Sequence, residues 1–212
     1  MHMEWPRDTV PLSESWQRAW AATGARGNGQ ALADELVARY SEPQRKYHSL
    51  QHLSECLSAF EAVRGLATHP AEVELALWFH DAIYDVHRHD NEARSAKWAR
   101  AALIEAGADE EAARRIEALV LATRHSLPPV TLDERLLVDI DLSILGAPTD
   151  RYAEYERQVR AEYAFVPGWL FARKRRAILQ SFLDRPSIYG TDHFRASLEE
   201  RARANIGASL AS

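Results

Sequence analysis

The chain has 212 residues, of which 46% are hydrophobic and 27% charged, an ordinary balance for a chain that folds around a core. A net charge of -5 excludes a general attraction to nucleic-acid phosphates, so we expect no nucleic-acid partner. The single cysteine, Cys56, excludes an internal disulfide, and the sequence shows neither an export signal nor a run of about 18 apolar residues. These features predict a soluble cytoplasmic protein without a membrane partner. They do not predict whether the protein is a monomer or an oligomer.

Apolar residues spaced by three and four predict helices along the first half of the chain. The first 40 residues contain two such stripes, separated by a glycine-rich turn at 24–29, and the sequence at 41–43 (Ser-Glu-Pro) ends the second stripe. A third helix is predicted from about Ser49. Pro70 suits a first helical position, and the segment after it is apolar nearly all round, so we expect it to be the central helix.

The second half of the chain continues the helical pattern. Asp90 is a predicted N-cap for an alanine-rich helix that ends at Gly107, and Asp109 is predicted to begin a helix through Thr123. Another stripe follows Pro128-Pro129 and ends near Gly146. Three further helices are predicted, near 149–163, 168–184 and 192–210. Because alternating β-branched runs are nearly absent, the sequence predicts an all-α protein.

Histidines and acids cluster within these predicted helices. His48 and His52 are four residues apart and share a face if both are helical, although histidines at an exposed helix start would show the same spacing. His80-Asp81 directly follows the apolar segment, where a buried charge is costly unless it is paired or bound to a metal. A structural hydrogen bond between these two side chains, or an exposed helix end, is the alternative.

Asp139 and Asp141 form a third cluster inside an apolar run. Imidazole nitrogens and carboxylate oxygens together suit Zn, Mn, Fe, Co or Ni. On a helix the two aspartates point about 200° apart, so only one is expected to face a metal. The positions three and four residues from Asp141 are all apolar, which places Asp141 on the more buried face and favours it as the ligand.

The order of His52, His80-Asp81 and a late aspartate resembles the H...HD...D motif of the HD superfamily of phosphohydrolases. It is similar in particular to the bacterial group of predicted metal-dependent HD phosphohydrolases. The matching phrases extend over nearly the whole chain: YHSLQH at 47–52, WFHDAIYD at 78–85, DNE at 90–92 with SA at 95–96, DIDLSILG at 139–146, and FLDRPSIY at 182–189. The resemblance implies one HD-type helical bundle over 1–212. Its core would span about 41–146, with additional helices at 1–40 and 147–212.

The resemblance also implies an activity, the hydrolysis of a phosphate ester or anhydride, such as a nucleotide, by metal-activated water. The expected cofactor is one divalent ion (Mn, Fe, Co, Ni, Zn or Mg) held by four ligands, His52, His80, Asp81 and Asp141. The expected partner is a small phosphorylated substrate.

Further residues near these motifs are candidates for catalysis or substrate binding. Besides Asp81, the candidate catalytic residues are Glu92, as a proton-transfer group, and His125. The candidate substrate-binding residues are Arg45, Lys46, His48 and Arg124. Glu92 could instead simply belong to a helix start, and the basic residues could be ordinary surface charges. The basic run at 173–176 is interpreted as a solvated helix face.

Two other functions fit the same motifs. An HD scaffold can carry a di-iron oxygenase, which would need extra histidine ligands, and His87, His89 and His125 are available. A helical binding or regulatory protein could also keep the metal site without turnover.

Overall fold

The computed structural model describes residues 10–125 and 127–211, which form a helical protein. Its ten α-helices are α1 (Leu12–Ala21), α2 (Gln30–Tyr40), α3 (Leu50–Val63), α4 (Pro70–Phe79), α5 (Asn91–Glu105), α6 (Glu110–Ala122), α7 (Leu132–Asp141), α8 (Thr149–Glu162), α9 (Gly168–Leu183) and α10 (Asp192–Ala211). Short 3₁₀ helices cover Arg64–Leu66 and Leu142–Gly146. The described residues contain no strand, so the all-α prediction is confirmed.

Local sequence signals fix most helix boundaries as predicted. Pro70 begins α4, and the Asp109 carboxylate accepts a hydrogen bond from the Ala112 N–H at the start of α6. The predicted cap at Asp90 is wrong in detail. Asp90 does precede α5, but its carboxylate binds the Arg88 guanidinium at 2.7 and 2.9 Å instead of a helix N–H.

Helix α4 is the centre of the fold, as its apolar sequence predicts. It packs against α1, α3, α5, α6 and α7, and Val73, Leu75 and Leu77 are fully buried. Its most deeply buried acid, Glu74, is compensated by Ser15 Oγ at 2.7 Å and Arg18 Nη2 at 2.5 Å from α1. Helix α4 is therefore held from several sides, and His80 and Asp81 directly follow its C-terminal end.

The C-terminal helices pack onto the same core. Helix α10 contacts both α9 and the 3₁₀ helix Leu142–Gly146, and α8 also contacts that 3₁₀ helix. Gly146 permits the close approach, because a Cβ there would lie 2.8 Å from Leu198 Cβ. Buried hydrophobic residues from Trp16 to Ile206 form one cluster. Within the described part of the chain, no helix is both long and apolar enough to cross a membrane.

Candidate metal centre

The ends of three helices bring four potential metal ligands into one group. His52 lies in the first turn of α3, His80 and Asp81 directly follow α4, and Asp141 is the last residue of α7. The Nε2 atoms of His52 and His80 are 3.0 Å apart. Asp141 Oδ1 lies 3.3 and 3.8 Å from these two nitrogens, and Asp81 Oδ2 lies 3.6 and 3.1 Å from them. Both carboxylates therefore face the same pair of histidine nitrogens.

The chemistry and spacing of this group fit a divalent metal ion. Ligand atoms that share one ion at about 2.1 Å lie roughly 3 to 3.5 Å from one another, close to the spacings found here. Two imidazoles and two carboxylates form a ligand set that first-row divalent metals accept. The two histidines are also almost fully buried, at 2% and 1% exposure, where unsatisfied ring nitrogens would be costly.

Electrostatics in the group link its histidines to its carboxylates. Burial alone would lower the pKa of His80, but the carboxylates of Asp81 and Asp141 outweigh burial and raise that pKa to about 9. Burial raises the pKa of both carboxyls, yet the neighbouring histidines bring both below their usual values. A metal ion bound at His80 Nε2 would displace the proton that these carboxylates stabilise.

Cys56 is a further buried donor beside the group, and sequence reasoning did not consider it as a ligand. It lies one turn after His52 on α3, and its Sγ is 3.7 and 3.8 Å from the two ring nitrogens of His52. His52, Cys56, His80 and Asp141 together form a cluster that could hold a metal ion. Burial raises the pKa of the Cys56 thiol well above its usual value, and the sulfur packs beside the imidazole ring. Asp81 Oδ2 lies slightly closer to His52 Nε2 than Cys56 Sγ does, at 3.6 Å against 3.8 Å.

The structure places Asp141, the aspartate predicted as the late ligand, next to His52 and His80, but the burial argument that favoured Asp141 is wrong. Asp139, not Asp141, is the more buried of the two, with 1% exposure against 16% for the Asp141 side chain. The Asp139 carboxylate needs no metal, because it accepts hydrogen bonds from Gly190 N at 2.7 Å, Thr191 N at 2.8 Å and Thr191 Oγ1 at 2.6 Å. Burial still raises the pKa of Asp139, against these donors.

His125 lies at the edge of the group formed by His52, His80, Asp81 and Asp141, which we call the metal group. Its Nε2 is 3.2 Å from Asp141 Oδ2, the oxygen that faces away from the two buried histidines. The His125 backbone has a φ of 51°, in the left-handed region that residues other than glycine seldom adopt. The imidazole is 27% exposed, so it contacts Asp141 and solvent together.

His48 is held beside the group by Glu162, a residue of α8 that sequence reasoning missed. Glu162 Oε1 accepts the backbone N–H groups of Lys46, Tyr47 and His48 at 2.8 to 3.0 Å, while its Oε2 binds His48 Nδ1 at 2.8 Å. The Tyr84 hydroxyl also donates to Oε2, at 2.9 Å. Burial would raise the pKa of Glu162, but its contact with His48 lowers it to about 2. No local motif around Glu162 could have indicated this role.

Arg45 has a different position from the one expected of a phosphate ligand. Its Nη1 donates to Asp81 O at 2.5 Å and its Nη2 to Ala82 O at 3.1 Å, while its Nε binds Glu42 at 3.1 Å. The side chain is 1% exposed. Its guanidinium nitrogens bind Glu42 and the turn that follows His80, so Arg45 holds this turn in place. This geometry argues against the predicted contact between Arg45 and the substrate.

Three other candidates lie outside the group. Lys46 Nζ binds Pro43 O at 2.7 Å and is exposed, as is Arg124. Glu92 lies in the first turn of α5, half-buried, and none of its contacts with described residues joins it to the metal group. The structure thus brings together His48, His125 and the four nominated ligands.

Comparison of the chain with protein-family models, curated proteins and solved structures finds no match.

Proposed function

We propose that the protein is a metal-dependent phosphohydrolase of the HD type, acting on an ester or anhydride of a small phosphorylated molecule. The observation that carries this proposal is that Asp81 and Asp141 both face the paired nitrogens of His52 and His80: these nitrogens are 3.0 Å apart, and the carboxylate oxygens lie 3.1 to 3.8 Å from them. Their order along the chain, on the ends of three packed helices, agrees with the HD motif. In this proposal one divalent ion is held by these four residues.

A divalent ion in such a site acts as a Lewis acid and lowers the pKa of bound water. The chain's own residues position the reactants. Asp81 faces the histidines through Oδ2, while its Oδ1 has no hydrogen-bond partner among the described residues and can orient an attacking water. His125 binds Asp141 Oδ2 and so holds the other oxygen of that carboxylate toward His52.

His48 is the candidate contact for the phosphate. Burial lowers its pKa, but the carboxylates of Asp81 and Glu162 outweigh burial and raise it, which favours the imidazolium form. Because Nδ1 is bound to Glu162, Nε2 is the nitrogen that can donate to a phosphate oxygen. Glu162 thereby positions His48 without touching the substrate.

One observation keeps the oxygenase as a second candidate. His125 adds a third histidine next to Asp141, as a second metal position would require. The exposed His87 and His89 lie outside the cluster that could hold a metal, so they do not extend it. A metal-containing binding protein without turnover is the remaining alternative.

The test is metal analysis followed by a screen of phosphate esters, anhydrides and nucleotides with each candidate metal. We expect metal-dependent release of phosphate, lost in Asp141→Asn and retained in Asp139→Asn. Oxygen consumption without phosphate release would favour the oxygenase. Metal uptake and ligand binding with no product from any substrate would overturn the enzymatic proposal.

A further inference from the structure

A cleft of about 510 Å³ opens beside the metal group, between the loop at 86–89, α8 and α9. Four aromatic side chains form much of its wall: Tyr155, Tyr163, Phe165 and Phe171. Phe165 is 54% exposed, an unusual position for a large apolar ring. Flat, polarizable rings of this kind provide favourable contacts for another planar ring.

The charges of the cleft are positive. None of the described residues that line it carries a carboxylate. Arg88 and Arg175 line it but are neutralised by Asp90 and Glu156. Lys174, in contrast, lines the cleft and makes no ion pair with any described residue. The cleft therefore suits a ligand that is both aromatic and anionic.

The inner wall of this cleft is shared with the metal group. Tyr47 and His48 line the cleft, and their ring centroids lie 4.7 and 5.9 Å from that of His52. The rings of Tyr47 and His48 therefore connect the cleft to the metal group.

We propose that this cleft binds the organic group of the substrate, and that this group contains a planar aromatic ring. This inference rests on the proposed function for the position of the phosphate, which would lie beside His48, but the cleft's preference for an aromatic anion can be tested separately. In this arrangement Phe165 and Phe171 contact the ring, and Lys174 interacts with the ligand's negative charge.

The experiment compares two phosphonates that cannot be hydrolysed, 1-naphthylmethylphosphonate and n-butylphosphonate, which carry the same charged group. Binding to the full chain is measured by calorimetry, with and without Mn²⁺. We expect the naphthyl compound to bind about tenfold more tightly. Phe165→Ala should weaken its binding about fivefold and Lys174→Ala about threefold, while Phe165→Tyr should retain it.

Two matched controls locate the effect. Leu127 is 79% exposed and lines a second cleft, of about 380 Å³, beside His125, so Leu127→Ala truncates a different wall. Lys97 is an exposed lysine of α5 that does not line the cleft, and Lys97→Ala removes the same charge as Lys174→Ala. Neither control should change the affinity.

The outcomes separate this inference from the proposed function. Aromatic preference that depends on Phe165 and Lys174, in a protein that hydrolyses nothing, supports the cleft and rejects the enzyme. Turnover of phosphate esters with equal affinity for the two phosphonates rejects the cleft and retains the enzyme. Weaker binding in Leu127→Ala, with Phe165→Ala unchanged, would place the ligand in the second cleft and overturn the inference.

Discussion

Asp139 and Asp141 are separated by a single residue of α7, and their carboxylates bind different parts of the molecule. Asp139 accepts three hydrogen bonds from Gly190 and Thr191, which join α7 to the segment before α10. Asp141 faces His52 and His125 instead. One acid therefore fastens the fold and the other belongs to the metal group.

This division predicts opposite phenotypes for two isosteric substitutions. Asp141→Asn should abolish metal binding and activity with little loss of stability. Asp139→Asn should retain measurable metal but lower the free energy of unfolding by about 1 to 3 kcal/mol, because a buried charged acceptor of three hydrogen bonds is lost. Metal titration and urea unfolding of both variants check this, and the reverse ranking in metal affinity would show that the wrong aspartate was chosen.

Substitution of His80 or Asp81 should abolish activity without unfolding the protein. We expect His80→Ala and Asp81→Ala to remove metal-dependent hydrolysis while helical circular dichroism stays largely intact. His69→Ala is the matched control, since His69 precedes the opposite end of α4 and binds Asp133 instead. Wild-type turnover and metal content in either ligand variant would show that the metal assignment is wrong at its centre.

The ligand set also predicts a stoichiometry. Two imidazoles and two carboxylates suffice for one transition-metal ion, so the purified chain should carry or take up about one divalent ion. Elemental analysis after dialysis against each metal gives the ratio. Two tightly bound ions per chain would instead indicate a binuclear site that includes His125, and no uptake of any metal would contradict the centre altogether.

Arg45 should act through the backbone of the turn that carries Asp81. Arg45→Lys cannot reproduce the hydrogen bonds to the carbonyls of both Asp81 and Ala82, because an ammonium group lacks the planar guanidinium fork. We expect a loss of about 2 to 4 kcal/mol in unfolding free energy, together with weaker metal binding. A variant with unchanged stability and metal affinity, but a raised KM for the phosphate ester, would restore the predicted substrate contact.

Glu162 predicts a specific pH dependence of stability. Its pKa is about 2 in the folded protein, below the ordinary value of 4.5. A lowered carboxyl pKa stabilises the fold above pH 4.5, and this contribution is lost as the pH falls toward 2. At pH 7, Glu162→Gln should therefore be less stable by about 2 to 3 kcal/mol.

The pH dependence of the same variant tests whether the charge on Glu162 stabilises the folded protein. In urea unfolding the gap between wild type and Glu162→Gln should narrow as the pH drops below 4.5, because only the wild type has this carboxyl to protonate. A gap that stays constant from pH 7 to pH 3.5 would mean that the Glu162 charge does not stabilise the fold.

The sequence predicted the helices well because their signals are local. Apolar spacing and the residues at helix ends, such as Pro70 and Asp109, act within a few positions of the chain. The proximity of His80, Asp81 and Asp141 was expected because these residues stand out as polar groups within or beside apolar segments, and His52 was added to them through the resemblance to the HD motif. That same criterion could not distinguish Asp139 from Asp141, since a buried acid can be satisfied by backbone N–H groups as well as by a metal.

Roles that depend on distant partners were not predictable. Glu162 lies 114 positions from His48, and nothing near it in sequence marks it as the acceptor for three consecutive N–H groups. Arg45 looked available for phosphate because its local sequence is polar and basic. Its burial against the turn at 81–82 arises only from tertiary packing.

The contact between Glu162 and the backbone at 46–48 joins α8 to the segment that precedes His52. All four nominated ligands lie between residues 41 and 146, but the carboxylate that anchors the segment before His52 comes from α8. Arg151 of the same helix also binds Glu55 of α3, at 2.6 and 2.9 Å. A fragment cut after α7 would leave three backbone donors and one acid without their partners. The ligand-bearing segment is thus not a transplantable module, and a chimera that exchanges the C-terminal helices must preserve a glutamate and an arginine at these two places on α8.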